Sequence, residues 1–162
     1  MSQVRADARR YVGPTRESNW VILDRLMVGA YPGSPCDDDE NAESLTAILS
    51  CGITTFVCLQ QEYTHDACEA HWRSLRPYIE DCVRICNQNN GKLVSARELK
   101  FLHHDIVDCG TTDDVTVLEL AQDVCTRLLV GEVIYLHCWG GHGRAGTVVA
   151  VVLGLLYGIP AE

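Results

Sequence analysis

The most constraining stretch of this 162-residue chain is Cys138-Trp139-Gly140-Gly141-His142-Gly143-Arg144, set between two apolar runs, Val133 to His137 and Ala145 to Tyr157. The run before it predicts a short strand over 133–137, and the run after it a buried helix over 145–157, apolar nearly all round. Glycines at 140, 141 and 143 let the backbone curl with its amides turned inward, and the following helix aims its positive end at the same point. A strand, a glycine-rich turn and a helix in that order make an anion site. Cys138 opens the turn and Arg144 closes it. Inward amides favour the ionised form of a cysteine held there, and a guanidinium offers a planar fork for two phosphate oxygens. A sulfur nucleophile beneath a cradled phosphoryl group implies transfer through a phosphocysteine. With nine cysteines in the chain, a bare Cys-x5-Arg would arise by chance about once in two such chains. Requiring His137, Gly141 and Gly143 as well lowers that to roughly one in several thousand.

The rest of the chain alternates strands with helices. Trp20 to Ala30 reads as a β-hairpin around Asp24-Arg25, with Trp20 a core anchor, and Tyr31 to Pro35 breaks the pattern into a loop. The acidic run Asp37 to Glu40 favours the start of a helix at about 41–51. Residues 54–59 read as a buried strand, 66–78 as a helix stopped at Pro77, 87–98 as a loop and 101–107 as a strand. Residues 115–130 read as an amphipathic helix with Val117, Leu118, Ala121, Val124, Cys125 and Leu128 on one face. The expectation is a single α/β domain, its central, mostly parallel sheet flanked by helices and its phosphate-binding loop between a strand and a buried helix. Residues 1–19 read as an N-terminal arm and 20–162 as the domain.

Charge narrows the partners. A net charge of −9 argues against nucleic acid and against an anionic membrane surface, but leaves room for a local anion site built from amides. The longest apolar run, Gly146 to Ile159, is too short to insert into a membrane. The polar N-terminus does not read as a signal peptide, and an odd number of cysteines cannot all pair internally. Both favour a reducing compartment, the cytoplasm or also the nucleus. His65, Cys68 and His71, and Cys82 with Cys86, invite a metal reading. Without paired Cys-x2-Cys knuckles they read as ordinary residues, and no metal is expected.

The segment His137 to Arg144 resembles His-Cys-x-x-Gly-x-x-Arg, the signature of the cysteine-dependent protein tyrosine and dual-specificity phosphatases. His103-His104-Asp105-Ile106-Val107-Asp108-Cys109-Gly110-Thr111-Thr112-Asp113 is similar to the general-acid loop of the kinase-associated phosphatase branch of the atypical dual-specificity enzymes. Gly52 to Val57 and Val28 to Pro32 are similar to that branch too, so the resemblance spans about residues 18–160. It implies that Cys138 is the nucleophile and Asp108 the acid that protonates the leaving oxygen and then serves as base. Arg144 and the amides of Trp139, Gly140, Gly141, His142 and Gly143 would hold the phosphate, with His137 supporting the loop. Asp105, Asp113 and Asp114 compete for the acid's role; Asp113 and Asp114 read equally as helix caps and Asp105 as a solvated loop residue. Cys58, at the end of a core strand, is implied as a redox partner that captures an oxidised Cys138, with Cys109 as the other candidate.

The implied substrate is a phosphorylated protein or peptide carrying phosphotyrosine, with phosphoserine and phosphothreonine open, and no cofactor is required. Trp139 and His142 stand where lipid-phosphatase relatives carry lysines, which disfavours multiply charged inositol phosphates. A phosphoinositide or phosphoglucan phosphatase is the enzymatic alternative, and a weakly active pseudophosphatase that binds phosphoproteins is the non-enzymatic one. Two departures stand out. Ala145 replaces the Ser or Thr that usually follows the arginine, which implies slow hydrolysis of the phosphoenzyme. Relatives also continue with further helices where this chain ends, which implies that the last helices are lacking.

Overall fold

The computed structural model describes residues 9–33, 38–62, 76–89, 91–110 and 112–158. Five strands, β1 (Ser18–Ile22), β2 (Leu26–Gly29), β3 (Thr55–Gln60), β4 (Lys100–Ile106) and β5 (Ile134–His137), form one sheet in the order β1-β2-β5-β3-β4. Only the β1–β2 pair is antiparallel; β2, β5, β3 and β4 run parallel. The hairpin turns at Asp24, which takes a positive φ of 57°. Helices α1 (Asp38–Ser50), α2 (Ile79–Gln88), α3 (Asp114–Leu129) and α4 (Gly143–Tyr157) flank the sheet. The α/β class, the hairpin and the mostly parallel sheet match the expectation. Strand β1 begins at Ser18, inside the stretch read as an arm.

Strand alternation sorts the core into two layers. Val57, Leu59, Ile134 and Leu136 face α3 and α4 with Leu120, Val124, Val148 and Val152. Phe56, Cys58 and Tyr135 face the other way, toward Leu45, Ile48, Cys82 and Ile85 of α1 and α2. All six residues of β3 are buried, as a strand covered on both faces requires.

The helices bring further corrections. Most of the helix expected over 66–78 lies outside the described residues; of its end, Arg76, Pro77 and Tyr78 are not helical, and helix α2 begins at Ile79. Proline disfavours the helical conformation in the residue before it, in keeping with the non-helical Arg76, while its own φ suits a chain about to enter a helix, and Pro77 stands two residues ahead of α2. Helix α3 buries Leu120, Ala121, Val124 and Cys125, while Leu118 is 42% exposed. Helix α4 is not buried all round: Leu155 and Tyr157 are exposed. Among the described residues no helix is long and apolar enough to cross a membrane.

Candidate active site

The C-terminal ends of β5, β3 and β4 converge, and the glycine-rich loop leaves β5 at that edge. Open parallel sheets place their ligands there. The loop and the acid loop together border a cavity of about 490 Å3, lined by Cys138, Trp139, Gly140, His142, Gly143 and Arg144 on one side and by Asp108, Cys109 and Gly110 on the other. Seven of the residues expected to act here, Cys138 through Gly140, His142 through Arg144 and Asp108, therefore meet around one space. Gly141 does not line it. Its φ is +75°, and a Cβ there would fall 2.5 Å from the carbonyl carbon of Gly29. Its role is to let the loop sit down on the end of β2, and no side chain can substitute.

The loop is seated from below by aromatic rings. Tyr135 of β5 donates its hydroxyl to the Ala30 carbonyl at 2.7 Å. The Tyr31 amide donates to the Trp139 carbonyl at 3.0 Å, and the Tyr31 and Trp139 rings stack 6.4 Å apart. Trp139 is thus held at the rim by Tyr31, and His142 is exposed beside it.

His137 is wholly buried, and its Nε2 lies 2.7 Å from the Tyr78 hydroxyl. Burial, outweighing a backbone hydrogen bond at Cys138, lowers its pKa to about 3. The imidazole therefore stays neutral near pH 7. The unfolded chain takes up this proton below about pH 6.5, and the folded one does not until far lower. This part of the stability is full above pH 6.5 and is lost as pH falls. From pH 7 to pH 5 the loss from this group is about 2 kcal/mol, or roughly 4–8 °C in Tm. Burial also lowers His104, which acts in the same sense. Thermal melts at pH 7 and pH 5 should show the loss, with a shallower dependence in His137→Asn; an unchanged slope would reject the assignment.

Arg144 is 7% exposed and points between carboxylates rather than into solvent. Glu62, just past β3, grips it in a bidentate pair: Nη1 donates to Oε2 and Nη2 to Oε1, both at 2.8 Å. Nη1 also donates to the Ile106 carbonyl at 2.9 Å, and Nη2 to Asp108 Oδ1 at 3.1 Å. Burial opposes ionisation of Glu62, but the hydrogen bonds and charge of Arg144 win and hold it below the usual carboxylate range. Glu62, Tyr78 and Tyr31 are site residues that the sequence reading missed. The one signal for Glu62 was its place, a polar Gln60-Gln61-Glu62 step directly after a buried strand.

The competing acids are separated by the fold. Asp113 caps α3, accepting from the Thr116 amide at 3.0 Å. Asp105 lies on β4 rather than in a loop, and its carboxylate sits 3.1 Å from His103. Asp114 begins α3 and does not line the cavity shared by Cys138 and Arg144. Asp108 alone of the four both borders that cavity and touches Arg144.

Cys58 is buried and pairs in register with His137, next to Cys138. Burial pushes its thiol up to about 12, which disfavours the thiolate that capture of an oxidised partner would need. Cys109 is exposed on the acid loop with a φ of 56°. Cys82 and Cys86 are buried in the core on successive turns of α2, and among the described residues no group of three metal-ligating side chains occurs. His65, Cys68 and His71 lie outside the described residues.

Residues 15–162 match the family described as Swiss Army Knife protein, DSP-PTPase phosphatase domain (PTP-SAK). Over 149 residues the chain is 26% identical to "Putative tyrosine phosphatase 067L" of Invertebrate iridescent virus 3, covering 88% of this chain and 48% of that protein. The chain thus spans about half the length of this curated relative. Its fold is similar to that of Tk-PTP in the active form, with a TM-score of 0.56 at 19% identity over 84% of this chain and 71% of the other. It is equally similar to kinase associated phosphatase carrying a serine at its catalytic cysteine, with a TM-score of 0.56 at 21% identity over 84% and 68% of the two chains.

Proposed function

The chain belongs to the PTP-SAK family of DSP-PTPase phosphatase domains, and we propose that it hydrolyses phosphotyrosine, with phosphoserine and phosphothreonine as further substrates, in proteins. The observation that carries this reading is the cavity in which Cys138, Arg144 and Asp108 meet under a loop of glycines. In the first step the Cys138 sulfur attacks phosphorus, the S–P bond forms and the P–O bond to the leaving group breaks. Asp108 gives its proton to the departing oxygen. In the second step water attacks phosphorus and gives a proton to Asp108. The S–P bond breaks, and phosphate leaves with the sulfur again ionised. Arg144 and the loop amides stabilise the equatorial oxygens throughout. Asp108 shares Arg144 with Glu62, so an incoming phosphate takes over the Asp108 side of the guanidinium and frees the acid for the leaving group. The Trp139 and His142 rim suits a peptide better than a multiply phosphorylated ring.

Ala145 is fully buried directly after the arginine, so it supplies no hydroxyl to the departing sulfur. A hydrogen bond to a charged group contributes about 1.5–3 kcal/mol, or roughly ten- to a hundredfold in rate. The phosphoenzyme should therefore accumulate. Rapid mixing with p-nitrophenyl phosphate between pH 5 and pH 8 should give a burst of nitrophenol followed by slower turnover, and Ala145→Ser should shrink the burst and speed the turnover. A folded chain that releases no nitrophenol would overturn the phosphatase reading in favour of a phosphoprotein binder. Turnover with no burst in either protein would overturn only the slow second step.

A further inference from the structure

A second cavity, of about 460 Å3, opens between the acid loop, α3 and α4. It meets the first at Arg144, Gly110 and Thr147, which line both, while Cys138, Gly140 and Gly143 line only the first. Its walls are Ile106, Val117, Leu118, Val148 and Val151, and its polar edge away from the first cavity is Thr112 and Asp114. The proposed chemistry uses none of these. Ligand sites are of this size, chiefly apolar, with few polar groups at the edge. Val107 and Val115, each next in the chain to a residue that lines this cavity, are both more than half exposed. The carboxylate at its edge, Asp114, follows Asp113 in the chain, and the whole chain carries a net charge of −9.

We propose that this cavity is a specificity subsite that seats an apolar side chain of the phosphoprotein, one or two residues from the phosphorylated one, with a neighbouring Lys or Arg facing Asp114. The inference rests on the phosphatase reading and adds the sequence class of its substrate. An extended segment advances about 3.3–3.6 Å per residue, so a side chain one or two positions along reaches a cavity that shares a wall with the phosphate pocket. The acidic edge selects a cationic neighbour and repels an acidic one. The same edge argues against a second copy of this acidic chain as the occupant.

The test compares two fluorescein-labelled phosphotyrosine peptides, one carrying Leu and Lys next to the phosphotyrosine and one carrying Ser and Lys, binding to Cys138→Ser protein. The Leu peptide should bind about tenfold more tightly, a difference of about 1.4 kcal/mol. Adding Val151→Trp, which fills the cavity, or Leu118→Asp, an exposed change that leaves the core alone, should bring the two peptides within about twofold. Equal binding of the peptides to the parent protein, or a preference that survives both changes, overturns the subsite. So does a dimer on gel filtration that Leu118→Asp dissolves, which would make a second copy the occupant. Hydrolysis of p-nitrophenyl phosphate, which has no flanking residues, separates this inference from its basis. Turnover without a Leu preference removes the subsite alone. A Leu preference without turnover keeps the subsite and removes the phosphatase reading.

Discussion

Replacing Cys138 by serine is expected to abolish release of nitrophenol from p-nitrophenyl phosphate, lowering kcat by at least about 10^4, while the protein still folds and still binds phosphopeptide. Removal of a covalent nucleophile costs on this scale because the remaining groups position the substrate but cannot split the reaction into two steps. Cys138 is 3% exposed, at the floor of the loop, so the exchange of sulfur for oxygen changes little in volume. A serine hydroxyl there remains protonated and attacks poorly. A second sulfur borders the same cavity, that of Cys109 on the acid loop. Kinetics with Cys109→Ser decide between them: kcat should stay within about threefold of the parent. If Cys109→Ser is the inactive variant and Cys138→Ser retains turnover, the roles of the two loops are reversed.

Glu62→Ala is expected to be the most damaging single change to stability among the site residues outside the glycine-rich loop. The Arg144 guanidinium is buried, and Glu62 takes one bond from each of its terminal nitrogens. Removing one partner of a buried pair leaves the other charge poorly solvated and typically costs about 3–5 kcal/mol. For a chain of this size that lowers Tm by roughly 6–20 °C. Asp108 is then left to hold the arginine, which draws the acid away from the leaving group, so kcat should fall along with stability. Glu62→Gln keeps two polar atoms without the charge and should recover part of the loss. Urea denaturation and steady-state kinetics on both variants check this, and a Glu62→Ala protein that melts within about 2 °C of the parent, with unchanged kcat, would reject it. The pair also has a pH signature. The Glu62 carboxyl is held below its ordinary value, so its contribution is present above about pH 4.5 and is lost as pH falls further.

The local parts of the molecule were legible in the sequence because their causes are local. Strand β5, the glycine turn and α4 follow from apolar runs and from glycine's freedom at Gly141, and the spacing of Cys138 and Arg144 sets their facing positions within one loop. Helix α3 follows from its period, although which residues flank the buried stripe shifted from Leu118 to Leu120, because the neighbouring strands choose the face. Burial all along α4 did not follow, because an apolar composition says nothing about what lies opposite the last two turns.

Contacts between distant elements had no such local cause. Glu62 and Arg144 are 82 residues apart in the chain, and Tyr78 and His137 are 59 apart. The first pair meets because β3 lies beside β5 in the sheet, and the second because the start of α2 packs on the face of that sheet, arrangements that no local periodicity encodes. From residue order alone came a loop able to cradle an anion over a cysteine. Packing of the sheet settled which carboxylates hold its arginine, because a buried guanidinium must find its partners wherever the packed strands deliver them.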